Sequence, residues 1–154
     1  MGVSGSGKSL IGQLLAKQLG HPFLDADDYH PQANVDKMSS GIPLNDQDRL
    51  PWLERLNGVA QTHLETGCVI ACSALKQKYR DLLSMLIQDH SEWIYLKGSY
   101  DLIFKRMSQR KNHFMDPSML RSQFDALEPP LNAIEVSIDQ SPEVMLLEIQ
   151  NKLR

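Results

Sequence analysis

Residues 2–9, Gly2-Val3-Ser4-Gly5-Ser6-Gly7-Lys8-Ser9, spell the pattern G-x-x-x-x-G-K-[ST], and they run straight into an apolar helical stretch. Gly2, Gly5 and Gly7 free the backbone to turn, so that successive N–H groups from Gly2 to Ser9 converge on one anion. Lys8 adds a cation where the β and γ phosphates of a nucleotide lie, and Ser9 is placed as a Mg²⁺ ligand. Leu10, Ile11, Leu14, Leu15 and Leu19 then follow helical spacing up to Gly20, which predicts a helix whose N-terminus points at the bound phosphates. A flexible glycine-serine linker has no reason to set Gly-Lys-Ser before such a helix.

A phosphate-binding loop normally follows a buried strand, and here only Met1 precedes Gly2. The first strand is therefore expected to be absent or reduced to a stub. In the fold inferred below it belongs in the middle of the sheet, where two neighbours need its backbone groups.

The 154 residues suit one domain, residues 1–154, large enough to bury a core, and 42% hydrophobic with 23% charged residues is an ordinary globular balance. A net charge of -3 argues against a general nucleic-acid binder. No apolar stretch reaches membrane-spanning length and no signal peptide precedes the loop, which points to a cytoplasmic protein with no membrane partner. Cys68 and Cys72 fall on one predicted strand without further zinc ligands, and read as two buried thiols in a reducing compartment.

Short apolar runs at Pro22–Asp25, Cys68–Cys72, Trp93–Leu96 and Ile134–Ile138 alternate with helical patterns. That alternation predicts an α/β fold: a P-loop three-layer sandwich with a mostly parallel sheet, helices on both faces and a helical lid. The first run delivers Asp25-Ala26-Asp27-Asp28 to the carboxyl edge of the sheet, where ligands bind. One of these acids suits a Mg²⁺ shell and another suits a substrate hydroxyl. Asp25 and Asp27 are taken as functional, while Asp28 reads as helix capping. Asn45 or Asp46 caps a long helix in which Arg49 offers a planar fork to a carboxylate or phosphate; its alternative is a salt bridge to Asp46 or Asp48. The strand at Cys68–Cys72 ends in Ser73 rather than an acid, which shifts the metal role toward Ser9, Asp25 and Asp27. Arg106, Arg110, Lys111 and His113 crowd one helix end; they either complement its dipole or close over ATP as a lid, expected around residues 105–127.

Beyond the loop, the segments Asp25-Ala26-Asp27-Asp28-Tyr29-His30-Pro31, Gly41-Ile42-Pro43-Leu44-Asn45-Asp46-Gln47-Asp48-Arg49, Cys72-Ser73-Ala74-Leu75-Lys76, Tyr79-Arg80-Asp81, His113-Phe114-Met115, Gln123-Phe124 and Leu127-Glu128-Pro129 occur in one order. In this order the chain resembles the gluconokinases over nearly its whole length. The resemblance implies transfer of a phosphoryl group from ATP to the 6-hydroxyl of D-gluconate, with Mg²⁺, in a homodimer. On the chemistry of the residues themselves, Lys8, Asp27, Arg49, Arg106 and Arg110 are expected in catalysis, Asp27, Arg49, Lys76 and Arg80 at the substrate, and Ser9 and Asp25 at the metal, with Asp25 and Asp27 able to exchange roles. Two other readings share these features. One is a different P-loop small-molecule kinase, such as a shikimate-like enzyme, and the other a nucleotide-binding chain impaired by lack of the first strand.

Overall fold

The computed structural model describes residues 1–109 and 117–153. In chain order the elements are α1 (Lys8–Leu19), β1 (Phe23–Asp25), a 3₁₀ turn (Ala26–Tyr29), α2 (Gln32–Ser39), α3 (Asp46–Thr62), β2 (Val69–Ala71), α4 (Gln77–Ser84), a second 3₁₀ turn (Gln88–His90), β3 (Ile94–Lys97), α5 (Tyr100–Ser108), α6 (Pro117–Ala126), β4 (Ile134–Ser137) and α7 (Pro142–Lys152). The expected alternation of strand and helix is present. Asn45 caps α3 in a reciprocal box with Asp48, and Ser141 caps α7 with Pro142 in its first turn.

The strands pair as two parallel couples rather than one continuous sheet. β1 lies against β2 with Leu24 opposite Ile70, and β3 against β4 with Leu96 opposite Val136. Met1 and Gly2 lie between the couples. The Met1 amine donates to the Ile94 carbonyl, the Leu96 N–H donates to the Met1 carbonyl at 2.9 Å, and the Gly2 N–H reaches the Ser73 carbonyl at 3.2 Å. These two residues thus occupy the position between the couples next to Ile94–Leu96 and Ser73.

Met1 and Val3 enter opposite cores although a strand would put residues two apart on one face, because the backbone turns at Gly2, whose φ is 145°. Val3 enters a core formed with Ile11 and Leu15 of α1, Leu96, Ile103, Val136 and Ile149. Met1 enters a second core with Trp52, Leu53, Leu56, Cys72, Leu83 and Tyr95. Helices therefore cover both faces of the strands, giving the three expected layers. Cys72 is buried and its thiol is pushed up to about 11 by burial, whereas Cys68 is only half-buried; both are free.

Candidate active site

The phosphate loop turns as its glycines allow. Gly2, Gly5 and Gly7 adopt φ of 145°, 79° and 93°, a region closed to most side chains. A side chain at Gly5 would strike Met107, whereas one at Gly7 would meet no atom within 4 Å. The open side of Gly7 faces the N-terminus of α1, which has no side-chain cap and so presents unpaired N–H groups. Ser6 is buried with its hydroxyl unpartnered. Lys8 Nζ donates to the Val3 carbonyl at 3.0 Å, and burial lowers its pKa. This arrangement of open amides, a spare hydroxyl and a desolvated cation fits a polyphosphate.

Asp25 ends β1 and meets the loop there. Its Oδ2 accepts from the Ser9 hydroxyl at 3.0 Å, and its Oδ1 accepts from the Asp27 N–H at 3.2 Å, capping the 3₁₀ turn. Two adjacent hard oxygens on an exposed rim fit Mg²⁺, which keeps most of its waters. Among the described residues no cluster of three or more His, Cys, Asp or Glu forms a preassembled metal site.

Asp27 extends into solvent, its side chain 87% exposed, with the His30 ring 3.9 Å away. Behind it His30 stacks on Trp52 at 4.2 Å, and the Trp52 N–H donates to the Ala26 carbonyl at 2.7 Å. Burial holds the His30 pKa down. The indole and imidazole thus fix the backbone that carries Asp27; neither role is legible from residue spacing.

Across the rim stands a basic and aromatic cluster. Asp46 accepts from Lys76 at 3.2 Å, and also from Lys78 and the Tyr79 hydroxyl; these bonds hold its pKa far below the usual carboxylate range. Arg49 lies over the Tyr79 ring at 5.7 Å and donates to the Leu44 carbonyl. Neither Asp46 nor Asp48 takes Arg49 as its salt-bridge partner: Asp46 holds Lys76 and Lys78, and Asp48 holds Lys37 at 2.6 Å.

Arg80 stands apart from this surface. It is 3% exposed and donates to the Ala74 and Leu75 carbonyls at 2.9 and 3.2 Å and to the Gln77 side-chain oxygen at 2.7 Å. Ala74 has φ of 44°, so Arg80 secures a strained turn, and its buried Nε has no hydrogen-bond partner among the described residues. Arg106 is likewise engaged, donating to the Ile138 carbonyl at 2.6 Å. Arg110, Lys111 and His113, the middle of the expected lid, lie outside the described residues.

One contact was not singled out from sequence. Gln123 of α6 accepts from the Ser4 N–H at 2.7 Å and donates to the Ser4 hydroxyl at 3.3 Å, tying the helix to the phosphate loop. Its only sequence signal is its place in the Gln123-Phe124 segment.

A shikimate kinase family model matches residues 4–147. A probable gluconokinase of Mus musculus is 49% identical over 166 aligned residues, covering 94% of this chain and 90% of the relative. The thermosensitive gluconokinase of Escherichia coli K12 is 52% identical, covering 84% of this chain and 70% of its own. The crystal structure of a gluconokinase from Sinorhizobium meliloti 1021 superposes with a TM-score of 0.87 at 39% identity, covering 96% of this chain and 85% of that one.

Proposed function

This chain belongs to the gluconokinase family of shikimate-kinase-like P-loop proteins, and we propose that it transfers the γ-phosphoryl group of ATP to the 6-hydroxyl of D-gluconate, giving 6-phospho-D-gluconate. The observation that carries this reading is the high identity to gluconokinases across a chain whose loop and acids meet at one rim. The shikimate kinase model describes the broader group, and the gluconokinase relatives decide between the two substrates.

ATP supplies the transferable phosphoryl group, and Mg²⁺ supplies charge neutralisation and a fixed geometry for its oxygens. Backbone amides of Gly2 through Ser9 and the Lys8 ammonium hold the phosphates; Ser9 and Asp25 hold the metal. Asp27 accepts the proton of the sugar-acid hydroxyl or aligns that hydroxyl for in-line attack. Arg49 and Lys76, beside the Tyr79 ring, bind the substrate carboxylate and hydroxyls, and positioning supplies most of the rate. Arg80 acts one step behind them by fixing the turn before Lys76. Residues 105–127 serve as the lid, with Arg106 and Arg110 supplying its charge.

Among the described residues no helix is long and apolar enough to cross a membrane, and the two free thiols suit a reducing cytoplasm. A homodimer is the assembly we assign, to be checked by light scattering. The function is tested with a substrate panel in the presence of ATP and Mg²⁺. The expected products are ADP and 6-phosphogluconate, and equal rates with shikimate or a nucleoside monophosphate overturn the assignment.

A further inference from the structure

Pro31 ends the first 3₁₀ turn, because the residue before a proline is pushed out of helical conformation; His30 accordingly has φ of -60° and ψ of 135°. Its N–H still donates to the Asp27 carbonyl at 3.4 Å, so the imidazole is tethered to the turn that carries Asp27. The ring lies flat on Trp52 of α3, and the His30 side chain is only 7% exposed. A polar ring buried to that degree must have both nitrogens accounted for.

Nδ1 is accounted for by Asn34, a buried residue of α2. Asn34 Nδ2 donates to the Asp48 carbonyl at 2.9 Å, an oxygen that can only accept, so the orientation of the amide is fixed. The same nitrogen, with one hydrogen to spare, lies 3.3 Å from His30 Nδ1. Two donors do not face each other, so Nδ1 carries the lone pair and the proton of the neutral ring sits on Nε2. Burial lowers the pKa of the ring against the pull of Asp27, and Arg49 lowers it further, so at pH 8 the ring is neutral.

Nε2 is left over. Among the described residues it makes no hydrogen bond, and the carboxylate it faces is Asp27, whose Oδ1 stands 3.9 Å away. A change of rotamer in the exposed Asp27 side chain closes that gap. A free carboxylate samples several rotamers, and a charge-assisted bond to one oxygen selects among them while leaving the other oxygen open.

We propose, resting on the function inferred above, that His30 is a positioning residue: its Nε2–H, held in that tautomer by Asn34, takes Asp27 Oδ1 in the working site and leaves Oδ2 aimed at the substrate hydroxyl.

The test compares His30→Asn with His30→Gln in the full chain at pH 8. Both lose the ring on Trp52. The shorter amide stands where Nδ1 stood, beside Asn34, whereas the longer one keeps an N–H donor where Nε2 stood, beside Asp27. On the substrate that the parent phosphorylates, His30→Asn should lower kcat by about tenfold, the worth of one hydrogen bond to a charged group, with KM for that substrate and for ATP within about twofold. His30→Gln should recover most of the loss. In the ¹⁵N-labelled parent, long-range proton–nitrogen correlation should show His30 Nε2 protonated and Nδ1 bare. Equal kcat in the two variants, a raised substrate KM at unchanged kcat in His30→Asn, or a proton on Nδ1 overturns the proposal. A failure of the gluconate reading shows elsewhere, in which substrate the parent phosphorylates, and leaves the comparison of the two variants decisive.

Discussion

The Ser9 hydroxyl donates to Asp25 Oδ2 at 3.0 Å, fastening the last residue of the phosphate loop to the last residue of β1. The other oxygen of the same carboxylate receives the Asp27 N–H at 3.2 Å. One side chain therefore sets both the proposed metal oxygens and the backbone of the proposed substrate acid. In Asp25→Asn the shape is kept and the charge lost, so the Mg²⁺ concentration for half-maximal activity should rise by about tenfold or more. An unchanged Mg²⁺ titration would remove Asp25 from the metal shell.

Asp27 and Asp28 are adjacent, and the comparison of their amides separates catalysis from capping. Asp27→Asn should lower turnover by roughly 10² to 10⁴ with ATP binding nearly unchanged, whereas Asp28→Asn should stay within a few-fold. Small and equal effects at unchanged melting temperature would show that the acids serve only the turn.

Arg80 holds three acceptors while buried, so its removal strands two main-chain carbonyls. Arg80→Ala should cost about 2–4 kcal/mol in denaturant unfolding, and Arg80→Lys should recover only part of it because an ammonium lacks the planar fork. A variant that unfolds like the parent but binds gluconate poorly would return Arg80 to the substrate.

The Met1 amine titrates near 8 when unfolded and at about 5 when folded, because burial disfavours its charge. Between those values the unfolded chain holds the proton and the folded chain does not. Its contribution is fully present above pH 8 and is lost as the pH falls to 5, by up to about 1.4 kcal/mol per pH unit. N-terminal acetylation retains the N–H donated to Ile94 and should flatten that part of the pH–stability curve. Parallel curves for the acetylated and free chains would contradict the burial of a titrating amine.

Helices and strands were legible wherever periodicity and caps agreed, as at Asn45, Ser141 and the apolar run ending at Cys72. The phosphate loop was legible because its glycine spacing dictates backbone shape. Arg80, close after Lys76, reads as a ligand contact, while the positive φ of Ala74, whose carbonyl it holds, leaves no trace in composition. Arg49 was expected to choose between a ligand and a nearby acid, yet Lys37, Lys76 and Lys78 reach those acids first through tertiary contacts. The bond between Ser4 and Gln123 joins residues 119 apart, a distance no local pattern encodes.

The chain has two tryptophans, and both pack on the same face of the strands: Trp52 within the core that holds Met1, and Trp93 against it. Indole emission is thus blind to the opposite core of α1, α5 and α7, while far-ultraviolet dichroism samples helices on both sides. A denaturation curve followed by fluorescence alone would record the melting of one face as if it were the melting of the molecule.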